Sequence, residues 1–385
     1  MEEMIFLLTA FSTAKLGDLI GISSAPSPAG TRAITAVTVD PATGVPSKLV
    51  GLNASWGYFT DSSATADHAN SLYYVMLAPS VATSVLVKID VTKGAVVDQK
   101  TYDMPFGLLT YDYEKAELYA SESNGFDGDC VYRIDPATLE ATELACLPDG
   151  WVGFENGLAV DQAEEVVYLM AANMVNASID HSTVFGIDRR SGKIVTEATH
   201  KYGLSVPEIV FSLYYDSDRL GAIVGMCSDV HACASTPGCK GYYLCSQDLT
   251  GPTVKVTPLG NPRIFGDGAP KGYKDAYPSI NGIGTPTRSY YCGFALTPSE
   301  AAAAAGAAPA AWLYTVDLDD GSVRSTANRS FPTNLVDLAF VSAPPGAAAV
   351  PAPAIAAAAE PPRAEKRLRS RPRMGLNNRP ILPSL

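Results

Sequence analysis

Long apolar runs are missing from this chain of 385 residues once its first dozen residues are passed. No later stretch is long and apolar enough to span a membrane as a helix, so we expect a soluble body. Apolar residues at helical spacing are also almost absent, whereas the 19 tyrosines suit β-strands. Apolar residues still make up 47% of the chain, enough for a core of ordinary size. The composition therefore predicts an all-β globular body.

Motifs of the common enzyme classes are missing as well. The four histidines show neither HxH nor HExxH spacing, and no G-x-S-x-G sequence marks a nucleophilic serine. The Gly-rich segment from Phe265 to Gly272 lacks the Ser or Thr of a phosphate-binding loop. The net charge is −12, and residues 363–379 carry seven Lys or Arg against one Glu, which leaves −18 on residues 1–362. An acidic body of this kind argues against nucleic-acid binding.

One short pattern does recur, six times. In each copy an alternating apolar segment runs into an aspartate and a tight turn, as in KIDVTKG ending at Gly94 and GIDRRSG ending at Gly192. The marker aspartates are Asp40, Asp90, Asp135, Asp188, Asp248 and Asp317. Their spacing of 45 to 69 residues, with strands between Gly, Pro and Asp turns, is typical of a β-propeller built from four-stranded blades.

The two ends of the repeat array complement each other. The N-terminal part supplies three strands that lack an inner strand (LIGIS, ITAVTVD and KLVGL), and residues 334–340, NLVDLAF, form an inner strand without a blade. We predict that they pair and close a six-bladed propeller over residues 15–342, which removes two open sheet edges. Seven blades remain an alternative, because residues 262–276 have room for further strands.

The segments outside this range differ in composition. Residues 343–385 are Ala/Pro-rich and then basic, and we expect them to be disordered. Residues 1–14 form a candidate signal segment with cleavage after Ala14, although Glu2 and Glu3 stand where a signal peptide is positive. The alternative is that Ile5–Phe11 is a buried strand.

Seven cysteines bear on the compartment of the protein. Four recur every six residues within one loop-like segment, and two more fall in neighbouring strands of one repeat. The disulfide candidates are Cys130, Cys146, Cys227, Cys233, Cys239 and Cys245. They lack the C-x₂-C pairs of a zinc site, so we predict disulfides, with a metal site or reduced thiols as alternatives. Three N-x-S sequons, at Asn53, Asn176 and Asn328, agree with a secreted, extracellular glycoprotein.

The residues that open the inner strands of a propeller surround one mouth of its central channel. Alignment of the repeats on their glycines places aromatic residues, Trp56 and Phe106, in one half of this ring. The other half presents amides and carboxylates: Asn156, Glu208, Asn281 and Asn334, with Glu155 beside them. Oxygen ligands that converge on one axis suit calcium, so these four residues form a candidate calcium site. A cation held there could polarise a carbonyl or activate water.

Two inner-strand openings carry a family resemblance. NGLAVD after Glu155 and INGIG after Ser279 resemble the Asn-Gly openings of the gluconolactonase/senescence-marker, paraoxonase and strictosidine-synthase-like propellers. The resemblance implies a central metal held by Asn156, Asn281 and Glu208, and a calcium-dependent lactonase or esterase activity. The chain departs from these families because its first full blade opens on Trp56 instead of a metal-binding glutamate. It also lacks an acid/base aspartate at the openings of the third and fourth blades.

The repeats resemble the non-enzymatic NHL and YWTD propellers equally well. That resemblance implies a binding platform with Trp56, Phe106, Tyr58 and Trp151 as contact residues. We count Trp56, Phe106 and Glu155 as candidates for the binding face. The sequence thus predicts a monomeric, secreted module that binds a protein or a glycan through one face of the disc, with a calcium-dependent hydrolase as the alternative. The carboxylates of Asp112, Asp161 and Asp216 end inner strands, where we expect them to cap the following turns.

Overall fold

The computed structural model describes residues 19–26, 32–41, 44–53, 63–80, 82–122, 128–173, 181–201, 209–216, 220–228, 242–259, 273–284, 289–304, 306, 310–325 and 335–340. The chain divides between Ala347 and Ala348 into two units, and the second lies outside these residues. The candidate signal segment 1–14 and the tail 343–385 also lie outside them, so both stay predictions. In the described part no helix is long and apolar enough to cross a membrane.

Apart from one short helix, α1 (Glu300–Ala304), the described elements are strands. In chain order they are β1 (Leu19–Pro26), β2 (Arg32–Val39), β3 (Pro46–Gly51), β4 (Ala64–Asp67), β5 (Leu72–Ser80), β6 (Thr83–Asp90), β7 (Ala95–Tyr102), β8 (Phe106–Asp112), β9 (Glu117–Glu122), β10 (Cys130–Ile134), β11 (Ala141–Cys146), β12 (Trp151–Asp161), β13 (Val166–Asn173), β14 (His181–Asp188), β15 (Ile194–Lys201), β16 (Ile209–Asp216), β17 (Ala222–Ser228), β18 (Tyr242–Asp248), β19 (Lys255–Pro258), β20 (Tyr273–Gly284), β21 (Ser289–Pro298), β22 (Ala310–Asp317), β23 (Val323–Ser325) and β24 (Leu335–Phe340).

The described strands form six four-stranded antiparallel sheets. Blades 2 to 6 are β4–β7, β8–β11, β12–β15, β16–β19 and β20–β23, and blade 1 has the order β24-β1-β2-β3. The inner strands β4, β8, β12, β16, β20 and β24 contact one another in a closed ring. The all-β propeller prediction is therefore confirmed. Of residues 262–276, where room for a seventh blade was considered, 262–272 lie outside the described part and 273–276 belong to β20.

Blade 1 is shared between the two ends of the sequence, as expected. β24 pairs antiparallel with β1, from Leu19 opposite Phe340 to Ser23 opposite Leu335. Ile20, Ile22 and Ala339 are fully buried at this junction. The C-terminal strand therefore completes the sheet that the N-terminal strands begin, and the ring has no open inner edge there.

The opening of blade 2 lies partly outside the described residues. The repeat alignment opens this blade at Trp56, and its described inner strand, β4, runs from Ala64 to Asp67. Asp67 ends β4 in the way that Asp112 and Asp161 end β8 and β12. Trp56 itself lies outside the described residues.

The hydrophobic core lies between blades. One cluster joins Ile20 and Leu49 of blade 1 to Tyr73 and Val87 of blade 2, and further clusters join blades 2 and 3, 3 and 4, and 4 and 5. The second strand of a blade packs against hydrophobic core on both faces of its sheet. β5 is therefore buried from Tyr73 to Ala78, and its sequence there is a continuous apolar run. The outer strand β7 is mostly exposed.

The antiparallel topology sorts the connections onto two faces of the disc. The turns from first to second strand and from third to fourth strand lie at one end of every sheet, which we call the turn face. The connections from second to third strand and from blade to blade lie at the other end, the loop face. Connections of the turn face contain four residues, as between Asp67 and Leu72, to six, as between Ile134 and Ala141.

The recurrent aspartate turns form the turn face. In blade 4 the Gly192 N–H donates to the Asp188 carbonyl at 2.9 Å, and the Ser191 N–H donates to the Asp188 carboxylate at 2.7 Å. The residue four positions after the aspartate has positive φ in five blades: Gly44, Gly94, Leu139, Gly192 and Gly321. The carboxylate and the left-handed residue together close the turn.

These turns also hold neighbouring blades together. The outer strands β3 and β11 each carry a bulge, at Leu49 and Leu144. A Cβ on Gly94 of blade 2 would lie 3.3 Å from the Leu49 carbonyl oxygen of blade 1, and one on Gly192 of blade 4 would clash with the Leu144 carbonyl of blade 3. The turns of blades 2 and 4 therefore pack on the outer strand of the blade before them. We call this contact the blade clasp.

The other marker turns make the same kind of contact through different groups. Glu140, in the turn of blade 3, forms an ion pair with Lys100 on the outer strand of blade 2. In blade 5, the Pro252 carbonyl accepts from the Thr199 N–H of β15 at 3.0 Å, and the Val254 N–H donates to the Thr199 carbonyl at 3.0 Å. The clasp thus joins blades 1 to 5 in sequence.

A buried ion pair reinforces the junction of blades 3 and 4. The guanidinium of Arg189, next to the marker aspartate of blade 4, pairs with Asp112 at the end of β8, and both side chains are at least 95% buried. Desolvation lowers the pKa of Arg189 from its usual value. Because the pKa of a guanidinium is so high, Arg189 still carries its positive charge. The second oxygen of the Asp112 carboxylate accepts from the N–H groups of Glu114 and Lys115.

Replacing Gly192 by alanine tests the blade clasp. We expect Gly192→Ala to lower the free energy of unfolding by about 1–3 kcal/mol more than Gly221→Ala. Both glycines have positive φ, at 65° and 55°, but a Cβ at Gly221 has no heavy atom within 4 Å. The backbone penalty is therefore common to both variants. Urea unfolding measures the difference, and equal losses would mean that the clasp does not contribute.

Removal of Arg189 tests the buried ion pair. Arg189→Met should lower the free energy of unfolding by about 3–5 kcal/mol, because Asp112 is left as a buried charge without its cation. Arg190→Met is the matched control, since Arg190 is exposed and pairs with Glu165 at the surface. We expect that control to unfold close to the wild type in urea. A loss of similar size in both variants would contradict the assignment.

Candidate functional site

Backbone bulges interrupt most of the inner strands around the channel. In β8, Gly107 is an extra residue without a partner in the register. In β12, residues 154–157 lie opposite only Met170 of β13, and in β20, residues 281–282 lie opposite only Cys292 of β21. β16 and β24 carry bulges as well. A bulge leaves backbone N–H and C=O groups without their partners in the neighbouring strand and changes the direction of side chains, and bulges are common beside functional sites. Both predicted Asn-Gly pairs, Asn156-Gly157 and Asn281-Gly282, lie within such bulges.

The strand register places Asn156 and Asn281 at nearly the same height in the ring. Val166 and Ser289 lie opposite the marker aspartates of blades 4 and 6, which gives a common reference level. The bulge with Asn156 faces Met170, four residues above Val166, and that with Asn281 faces Cys292, three residues above Ser289. One residue step in a strand is about 3.3 Å. Two of the four predicted calcium ligands are thus on inner strands of one ring, and their heights along the strands differ by about one residue step.

The remaining predicted site residues are described less fully. Glu208 and Asn334 precede β16 and β24 and lie outside the described residues, as does Trp56. Glu155 lies in the same bulge of β12 as Asn156. The calcium site and the contact role of Trp56 therefore stay predictions.

Phe106 is a core residue in the structure. Its side chain is fully buried, and its ring makes edge-to-face contacts with Tyr102 and Tyr132 at 5.0 and 5.1 Å between centroids. The aromatic ring therefore fills the space between blades 2 and 3 and does not lie on a binding surface. The prediction that Phe106 contacts a partner is corrected on this ground. An aromatic residue that opens an inner strand suits either the core or a contact surface, so the sequence does not distinguish the two.

Buried carboxylates at the inner-strand ends cap turns, as predicted for Asp112 and Asp161. The Asp161 carboxylate accepts from the N–H groups of Ala163 and Glu164, each at 3.1 Å. Asp67, which sequence reasoning passed over, does the same in blade 2, where it accepts from the N–H groups of Ala69 and Asn70. Asp216 is 1% exposed at the end of β16. These carboxylates are on the turn face and serve the fold.

Four of the six disulfide candidates are paired in the structure. Cys130 pairs with Cys146 across β10 and β11, and Cys227 pairs with Cys245 across β17 and β18. Cys233 and Cys239 lie outside the described residues, and Cys292 is a buried free thiol. Burial raises the pKa of Cys292, so it stays protonated and unreactive. Cys130 and Cys146 also lie near Glu143, but the disulfide occupies both sulfurs that a metal would use.

Two of the histidines, His68 and His200, are buried. His68, on the turn face, stacks on Tyr113 with ring centroids 4.6 Å apart and shares a 2.8 Å hydrogen bond with its hydroxyl. His200 of blade 4 bonds to the Gln247 side chain of blade 5 at 2.8 Å. Desolvation lowers the pKa of His200, and the hydrogen bond with Gln247 opposes that shift. Both pairs therefore join neighbouring blades.

Comparison with known proteins bears on the fold. No protein-family model and no curated protein matches the chain. Among solved structures it is similar to a putative 6-phosphogluconolactonase from Bacteroides fragilis, at 10% identity over 86% of this chain and 99% of that chain, with a TM-score of 0.49. A putative TolB from Agrobacterium tumefaciens is similar at 11% identity, over 81% and 89% of the chains, with a TM-score of 0.42. The β-propeller domain of the trilobed protease from Pyrococcus furiosus is similar at 10% identity, over 70% and 71%, with a TM-score of 0.37.

The buried His200 predicts a loss of stability in acid. Because its pKa in the folded state is lowered, the unfolded chain takes up a proton near pH 6.5 that the folded protein resists. His200 therefore destabilises the fold progressively as pH falls below about 6.5, and has no such effect above it. His200→Gln, which does not titrate, should lose less stability between pH 7.5 and pH 5 in urea unfolding. Identical pH dependence of the two proteins would refute the role of His200.

Proposed function

We propose that the protein is a secreted β-propeller that binds a protein or a glycan through its loop face. The observation that carries this proposal is the contrast between the two faces. Connections on the turn face contain four to six residues, whereas those on the loop face range from two, between Ser80 and Thr83, to fourteen, between Pro258 and Tyr273. Loops of varied length on a rigid scaffold are where binding residues concentrate.

A physical reason supports the assignment to this face. The turn face makes the blade clasp, so the length and conformation of its turns are constrained by the neighbouring blade. The loop face has no such repeated contact among the described residues. Its connections are therefore freer to differ from blade to blade, which is what recognition of one particular partner requires.

The positions of the sequons and disulfides agree with an extracellular role. Asn53, Asn176 and Asn328 all fall in loop-face connections, after β3, β13 and β23. The two disulfides join neighbouring strands, and such bonds persist in oxidising compartments. Trp56 lies between β3 and β4 in the sequence, outside the described residues, and is a candidate contact residue.

Screening the full-length protein against a glycan array and a panel of extracellular proteins tests this proposal. For any ligand found, Trp56→Ala should weaken binding about tenfold or more, since buried aromatic side chains dominate binding energies. Lys93→Ala is the control, because Lys93 is exposed on the turn face. Equal loss in both variants, or loss only in the Lys93 variant, would place the binding surface elsewhere.

A calcium-dependent lactonase or esterase is the second candidate function. The observation that favours it is the common height of the bulges carrying Asn156 and Asn281. Amide oxygens on one level of a closed ring suit a hard cation, and a cation at the channel could polarise an ester carbonyl. Residues holding the ion would include these two asparagines.

Calcium binding by calorimetry tests the second candidate. If it is right, the full-length protein binds one calcium ion, and Asn156→Ala or Asn281→Ala lowers the affinity about tenfold or more. Asn173→Ala is the control, because Asn173 ends the second strand of the same blade as Asn156. Unchanged affinity in both inner-strand variants would eliminate the calcium centre and leave the binding module.

A further inference from the structure

A buried aspartate lies beside the strand that carries Asn156. Asp129 directly precedes β10 at the loop face of blade 3, and its side chain is only 2% exposed. Its carboxylate accepts a hydrogen bond from the N–H of Gly153 in blade 4, at 2.7 Å.

The backbone of Asp129 adds two further bonds. Its N–H donates to the Trp151 carbonyl at 2.9 Å, and its carbonyl accepts from the Leu147 N–H at 2.9 Å. Asp129 therefore holds both Trp151 and Gly153, the first and third residues of β12. The contact is close on both sides, since a Cβ on Gly153 would lie 3.0 Å from the Asp129 carboxylate.

The segment that Asp129 holds leads directly into the bulge. Gly153 is the last residue of β12 that pairs in register before residues 154–157, and regular pairing resumes at Leu158. Across the bulge, β12 therefore loses part of its ladder with β13. The position of Asn156 then depends on how firmly the strand is held on the two sides of the bulge.

The Cys130–Cys146 disulfide anchors Asp129 in turn. Cys130 is the next residue along the chain, and Cys146 immediately precedes Leu147, which bonds to Asp129. On the other side, Gly128 has φ of 82°, and a Cβ there would lie 2.9 Å from the Pro148 carbonyl oxygen. Both neighbours of Asp129 are thereby fixed against the chain that leads into β12.

We propose that Asp129 of blade 3 is the positioning residue for the β12 bulge, and that it sets the geometry of Asn156 at the channel. The inference rests on the proposed role of Asn156 in ligand or cation binding. A carboxylate bonded to a backbone N–H cannot be replaced by an apolar side chain without releasing that N–H, whereas an amide keeps an acceptor oxygen in place.

Hydrogen exchange of the full-length protein, read by mass spectrometry, tests the inference without any ligand. Asp129→Ala should speed exchange of the amides of residues 151–158 about tenfold or more, and Asp129→Asn should restore most of the protection. Asp67→Ala is the control, since Asp67 is also buried and hydrogen-bonded but caps a turn in blade 2. It should leave exchange at 151–158 unchanged.

Calcium titration of the same proteins gives the second measurement. Asp129→Ala should weaken calcium binding about tenfold, Asp129→Asn much less, and Asp67→Ala not at all. If the wild type binds no calcium, the metal proposal fails, and hydrogen exchange still decides whether Asp129 positions the bulge. Unchanged exchange at 151–158 in Asp129→Ala overturns the inference. Should Asp129→Ala not fold, Gly153→Ala displaces the same carboxylate and must produce the same local increase, or the inference is wrong.

Discussion

The contact between the turn of one blade and the outer strand of the preceding blade underlies the rest of this structure. A four-stranded sheet has two faces to cover and an outer edge that is open to solvent. Leu49 and Leu144 bulge out of that edge, and Gly94 and Gly192 of the following blades close onto their carbonyls. The marker aspartates shape the turns that make this possible. The repeat visible in the sequence is therefore a repeat of the contact between blades.

This constraint also separates structure from function within the disc. The buried carboxylates of Asp67, Asp112 and Asp161 are on the turn face, and each accepts backbone N–H groups in its own turn. Asp112 in addition forms the ion pair with Arg189 across two blades. These carboxylates stabilise the turns and the junction between blades. The chemistry or recognition carried by this protein is then expected on the loop face and around the channel mouth.

The sequence predicted the features that have a local signature. The marker turns, the closing strand from Leu335 and the candidate disulfide cysteines all follow from residue type and short-range pattern. It could not predict the inner-strand bulges, because a bulge is a property of two strands in register. Nor could it pair Arg189 with Asp112, or Asp129 with Gly153, since such partners have no fixed spacing. Leu139, with φ of 57° where four other blades have glycine, shows that even the turn signal is incomplete.

The two Asn-Gly openings look alike in sequence but differ in how the strand around them is held. In β20 two residues face a single partner at this bulge, and the strand already pairs with β21 from Tyr273 to Ile280 before it, with two further register shifts. In β12 four residues face a single partner, and only Trp151 to Gly153 precede the bulge. Three residues with few ladder bonds are weakly held, so an acceptor from the preceding blade strengthens the strand there. Asp129 supplies this acceptor to Gly153 from the loop face of blade 3.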